Sequence, residues 1–108
     1  MAFICNITFI IHPAEEERFL KWMREEAFAK LVNADGARTA KLMKVAEAGG
    51  EKPAPEHGLS IALHAEFTSE SEAKTWHQRA LTPILEEYAI AFGPDALFFT
   101  TLLESLNL

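Results

Sequence analysis

A period of two runs through the start of the chain. From Phe3 to His12, residues Phe3, Cys5, Ile7, Phe9 and Ile11 share one side of an extended backbone, and Ile4, Asn6, Thr8, Ile10 and His12 share the other. This predicts a central strand with one apolar and one mixed face. The period then changes. Pro13 suits a first helical turn, where its missing N–H costs nothing, and Glu15, Glu16 and Glu17 follow where the helix dipole favours negative charge. The stripe Phe19, Leu20, Met23, Ala27 and Leu31, opposed by Arg18, Lys21 and Glu25, predicts a helix that ends near Asn33 to Gly36 and packs one side on a sheet.

A second strand is predicted over Ala37 to Ala46, where Arg38, Lys41 and Lys44 suit an edge position. Gly49, Gly50, Pro53 and Pro55 break both helix and ladder, so residues 47–58 are expected to form a flexible hairpin loop. Alternation returns from Leu59 to Thr68, a third strand. Ser69 and Glu72 then have the spacing of a capping box, in which each side chain satisfies an N–H near the other. The helix beginning there carries Ala73, Trp76, His77, Ala80 and Leu81 inward. Pro83 is expected to break it, because proline inside a helix costs about 3 kcal/mol. A restart with Thr82 as cap and Pro83 at the first position turns Ile84, Leu85, Tyr88 and Phe92 inward as far as Gly93. The segment Ala96 to Leu106 reads as a last strand, apolar enough to lie against a core.

The order βαββαβ is that of the ferredoxin-like, or split βαβ, motif: an α+β fold with a four-stranded antiparallel sheet. Right-handed crossovers place both helices on one face. The other face, carrying Ile4, Asn6, Thr8, Ile10, Ser60, Ala62, His64 and Glu66 with contributions from the outer strands, is left uncovered.

Length and composition narrow the partners. A chain of 108 residues with 49% apolar positions holds one core, so residues 1–108 form a single domain. The formal charge of -6, with no basic run, disfavours nucleic acid and membrane surfaces. The apolar start lacks a basic flank and a cleavage site, and is too short to span a bilayer. Cys5 is the only cysteine, which excludes an intrachain disulfide and fits a reducing cytoplasm.

Asn6 and Thr8 in the first strand, Leu20, Trp22 and Met23 in the first helix, Ala40, Leu42 and Val45 in the second strand, and Thr101, Leu102, Leu103 and Glu104 near the end carry a resemblance. Through them nearly the whole chain resembles domain-of-unknown-function family 4286, uncharacterised bacterial proteins. The resemblance implies a dimeric α/β barrel of ferredoxin-like fold and attaches no activity; residues 47–58 form a longer hairpin than the family pattern has.

Candidate chemistry is sparse. His64 and Glu66 project from one strand face, where His64 could serve as a base positioned by Asn6 on a neighbouring strand. Thr8 and Trp22 complete a candidate small-molecule lining. A half-polar face at a dimer contact or in water explains the same residues with fewer assumptions and is the preferred reading. His12, His57, His64 and His77 have no metal-ligand spacing, so neither metal nor cofactor is expected. Asn6, Ile7 and Thr8 match a glycosylation acceptor by chance, since a central strand cannot use it. His77 reads as a partly buried packing histidine and Cys5 as an inert buried thiol. The expectation is a non-enzymatic or regulatory homodimer joined through the uncovered face. The alternative is a small-molecule binder or cofactor-free enzyme, like a monooxygenase or isomerase of the dimeric barrel type, by fold analogy alone.

Overall fold

The computed structural model describes residues 2–32, 39–44, 59–93 and 96–106. The predicted loop 47–58 and the first helix's expected end at Asn33 to Gly36 lie outside them.

Four strands, β1 (Phe3–Ile11), β2 (Thr39–Lys44), β3 (Leu59–Phe67) and β4 (Leu97–Glu104), form one antiparallel sheet in the order β2-β3-β1-β4. The central positions of β1 and β3 follow from their alternation. Cys5, Ile7, Phe9 and Ile11 of β1 and Ile61, Leu63, Ala65 and Phe67 of β3 are buried on one face beneath the helices. At the edges, β2 places Lys44 where its ammonium meets Glu16 at 3.0 Å, consistent with its charged sequence.

β1 stops one residue earlier than its pattern suggests. His12 leaves the ladder and caps the next turn, its Nδ1 accepting the Ala14 N–H at 3.0 Å. The helical arm 13–32 opens with a tight turn at Pro13–Glu15. It continues as α1 (Glu16–Trp22), widens into a π turn at Met23–Ala27 and closes as α2 (Phe28–Val32). Phe19, Met23, Ala27 and Leu31 are buried, as the stripe predicts.

The second arm begins as the capping residue requires: Ser69 Oγ accepts the Glu72 N–H at 3.1 Å. The reciprocal half differs, because the Glu72 carboxylate takes the Thr68 hydroxyl at 3.1 Å in place of a backbone N–H. After α3 (Glu70–Trp76), the interruption expected at Pro83 is a π turn over His77–Leu81 that leads directly into α4 (Thr82–Phe92). Thr82 does not cap a restart. Its backbone is helical, and both its N–H and its hydroxyl donate to the His77 carbonyl, the latter at 2.9 Å. The wider turn moves the hydrogen-bond ladder past the residue that lacks an N–H, so the chain keeps its direction. Gly93, with φ 83°, ends α4 in a backbone region that suits glycine, and its N–H donates to Ala89.

The greatest departure is β4. It was expected against a core, yet all of it is exposed. β4 lies at the sheet margin, paired only with β1 among the described strands, and the Tyr88 ring of α4 meets Phe98 at 6.4 Å without burying the strand. The sheet of a single chain is not closed, and among the described residues no helix is long and apolar enough to cross a membrane.

Candidate functional site

The register of the sheet arranges the open face in rows. Thr39, Glu66, Ile4 and Leu103 form one row; Lys41, His64, Asn6 and Thr101 form the next. Met43, Ala62, Thr8 and Phe99 follow, then Ser60, Ile10 and Leu97. The β1 and β4 half is therefore largely apolar and the β2 and β3 half largely polar. On the apolar half Leu97 is 53% exposed, Phe99 59% and Leu103 42%.

Four of the predicted residues, Asn6, Thr8, His64 and Glu66, share this face. Asn6 stands directly opposite His64, and both are half-buried. The Asn6 Nδ2 donates to Thr8 Oγ1 at 3.4 Å, along its own strand. Asn6 Oδ1 is buried and accepts no hydrogen bond from the described residues, which is costly for an amide oxygen. Glu66 shares the face but turns Oε2 to the Thr39 hydroxyl at 3.4 Å. His64 thus has Asn6 and Lys41 as its cross-strand neighbours, on either side.

Trp22 is not brought to this face. It lies on the helix side, in an aromatic cluster with Phe19, Tyr88 and Phe92 at centroid distances of 5.8, 6.1 and 5.7 Å. A position at the flank of a helical stripe leads inward to the gap between the two arms, and not through the sheet. Trp76, the other tryptophan, is buried and donates Nε1–H to the Leu31 carbonyl at 3.0 Å.

Helix-side geometry adds a feature that the periodicity did not single out. Between α3 and the uncovered underside of β4 lies a hollow of about 280 Å³, lined by residues that include Cys5, Ala73, Lys74, His77, Thr100 and Leu102. Burial pushes the Cys5 thiol up from the usual 9.0 to about 11, so it stays protonated and unreactive near neutrality. Among the described residues no group of three or more His, Cys, Asp or Glu side chains converges to hold a metal.

The outer strands were expected to contribute to the open face, but the residues of β4 were not named, although a signal was present. Leu97, Phe98, Phe99, Leu102 and Leu103 place large apolar groups on both faces of one strand, which an edge strand cannot bury alone.

Residues 2–106 match the model of a family described as a domain of unknown function, DUF4286. No curated protein matches the chain. Several solved structures share the fold at low identity. A protein of the ethyl tert-butyl ether D (EthD) family from Bacillus halodurans superposes with a TM-score of 0.70 at 10% identity, over 96% of this chain and 99% of that one. A dimeric ferredoxin-like protein from an uncultured marine organism gives 0.66 at 14% identity, over 99% and 98%. A monooxygenase from the ActVA-Orf6 gene of Streptomyces coelicolor, in complex with nanaomycin D, also gives 0.66 at 14% identity, over 99% and 89%.

Proposed function

The chain belongs to the DUF4286 family, a domain of unknown function, and from that premise we propose that it works as a homodimeric interaction module whose copies meet through the open sheet face. The observation that carries this reading is the exposure of all of β4, in which Leu97, Phe98, Phe99, Leu102 and Leu103 are large and apolar. A long apolar edge strand left bare invites pairing or aggregation, and natural proteins cover such strands.

A second copy of the chain fits as the cover. A twofold contact requires one self-complementary surface. This face offers an apolar half that can pack on its like, and a polar half carrying both Lys41 and Glu66. Two such sheets packed face to face would complete the dimeric α/β barrel. The likeness to a protein described as dimeric points the same way. We place the dimer in the cytoplasm, where a single unpaired thiol stays reduced.

Light scattering after size-exclusion chromatography tests the proposal. The expected particle contains two 12.1 kDa chains, and Phe99→Lys or Ile10→Lys converts it to a folded monomer. A wild-type chain that is monomeric and folded at micromolar concentration overturns the reading.

A second reading, a small-molecule binder or cofactor-free enzyme on the same face, draws on the unpartnered Asn6 Oδ1 opposite His64. There the two faces leave a gap, His64 acts as a base and Asn6 orients the bound molecule. A dimer structure with those side chains packed flat against the partner, leaving no space, removes it.

A further inference from the structure

The hollow between α3 and β4 lies on the helix side of the sheet, away from the proposed contact, and its argument does not depend on dimerisation. Its walls are apolar where Cys5, Ala73 and Leu102 line them. Its polar lining residues are Lys74, His77, Gln78 and Thr100, with Thr101 at the edge of the strand, its side chain on the open face, and among the described residues no carboxylate lines it. In a chain of net charge -6, the described lining carries a lysine and a histidine, and the carboxylate that meets the lysine, Glu70, comes from one turn earlier in α3, outside that lining.

The groups are also available. The Lys74 ammonium pairs with Glu70 at 2.8 Å, but both side chains are more than half exposed, and such a pair contributes less than about 1 kcal/mol. A carboxylate in the hollow can therefore compete for the ammonium at little cost. His77 stands at the start of the π turn, half-buried. Its backbone carbonyl is already held by Thr82, which fixes that end of the turn. The volume of about 280 Å³ is near the lower end of small-ligand sites, which begin at about 300 Å³.

We propose that this hollow binds a small carboxylate with an apolar body, the carboxylate held by Lys74 and His77 and the body packed against Ala73, Cys5 and Leu102. Amide chemical shifts of the full-length protein, followed by NMR while sodium 1-naphthoate is added, test the assignment. Saturable shifts are expected at residues 73–78 and 100–102. The neutral analogue 1-naphthalenemethanol is expected to bind about tenfold more weakly, a difference of about 1.4 kcal/mol. Lys74→Ala, at an exposed position, should weaken naphthoate about fivefold and leave the alcohol unchanged. Leu102→Trp, which fills the hollow, should abolish both while the circular dichroism spectrum is retained. Absence of saturable shifts, shifts centred on Ile10 and Phe99 of the open face, or equal binding of acid and alcohol overturns the proposal. Light scattering on the same sample reports the oligomeric state separately, so failure of the dimer and failure of this site are told apart.

Discussion

The Tyr88 hydroxyl donates to the Leu97 carbonyl at 3.1 Å, and the Ile10 carbonyl lies 3.3 Å from the same oxygen. One buried phenol in α4 thus holds the first residue of β4 against β1, at the strand that the helices leave bare. Its ring also packs on Phe9 at 5.0 Å and Phe92 at 5.4 Å, so the ring is set before the hydroxyl is used. Tyr88→Phe keeps the packing and removes the tie. The expected loss is about 1 kcal/mol in urea unfolding, with faster amide exchange concentrated in β4; exchange that rises equally in β3 argues against the tie.

Trp76 joins the two helical arms in the same way, through its Nε1–H on the Leu31 carbonyl. Leu31 lies in the last turn of α2, where carbonyls lack helical partners. Trp76→Phe removes a donor from a buried acceptor and leaves unfilled volume beside Phe67, whose ring lies 5.2 Å away. A destabilisation of about 2 to 4 kcal/mol is expected, read as a lowered melting temperature. A loss under about 0.5 kcal/mol contradicts this account.

Stability should fall in alkali. Burial raises Cys5 from the usual 9.0 to about 11, and Tyr88 from 10.0 to about 12. Below pH 9 both groups are protonated whether the chain is folded or not, and their contribution is fully present. Above it, the unfolded thiol loses its proton while the folded one keeps it, so the unfolded state binds fewer protons and stability declines. The Cys5 part reaches about 2 kcal/mol by pH 11, and Tyr88 adds to the decline from pH 10. Urea midpoints measured from pH 8 to 11 check this, and Cys5→Ala should delay the onset by about one pH unit.

Asn6 offers a test of the open face that does not disturb the core. Its Oδ1 is buried without a partner among the described residues, so Asn6→Leu removes an unsatisfied acceptor and should leave the stability of the monomer, measured at dilution, unchanged or raised. In the dimer proposed above, that oxygen takes a donor from the second copy. The same variant should then weaken self-association about tenfold by sedimentation analysis, and unaltered association separates Asn6 from the contact.

Much of the architecture was legible in the residues. The alternation in β1 and β3 named their buried faces, the stripe of Phe19, Met23, Ala27 and Leu31 named the packed side of the first arm, and the family expected from Asn6, Thr8 and the residues near Thr101 is the one whose model matches. These are local properties: a period of two or 3.6 residues is written along the chain and needs no distant partner to be read. His12 and Glu72 show where that reasoning stops, since His12 leaves the strand to cap the turn at Ala14 and Glu72 takes the Thr68 hydroxyl in place of the Ser69 N–H.

Tertiary structure alone decided the rest. Trp22 and Phe92, seventy residues apart in the chain, meet at 5.7 Å only because the two arms lie side by side on one face. That same placement sends Trp22 away from Asn6 and His64. β4 reads as a core strand by composition, yet its burial depends on how far the helices extend across the sheet, a distance that no local pattern encodes. Where they stop short, the strand is left bare on one side to form the open face and on the other to roof the hollow beside α3. Which residues alternate and which line a helical stripe follows from their order along the chain; which of them water still reaches follows from how far the helices extend over the sheet.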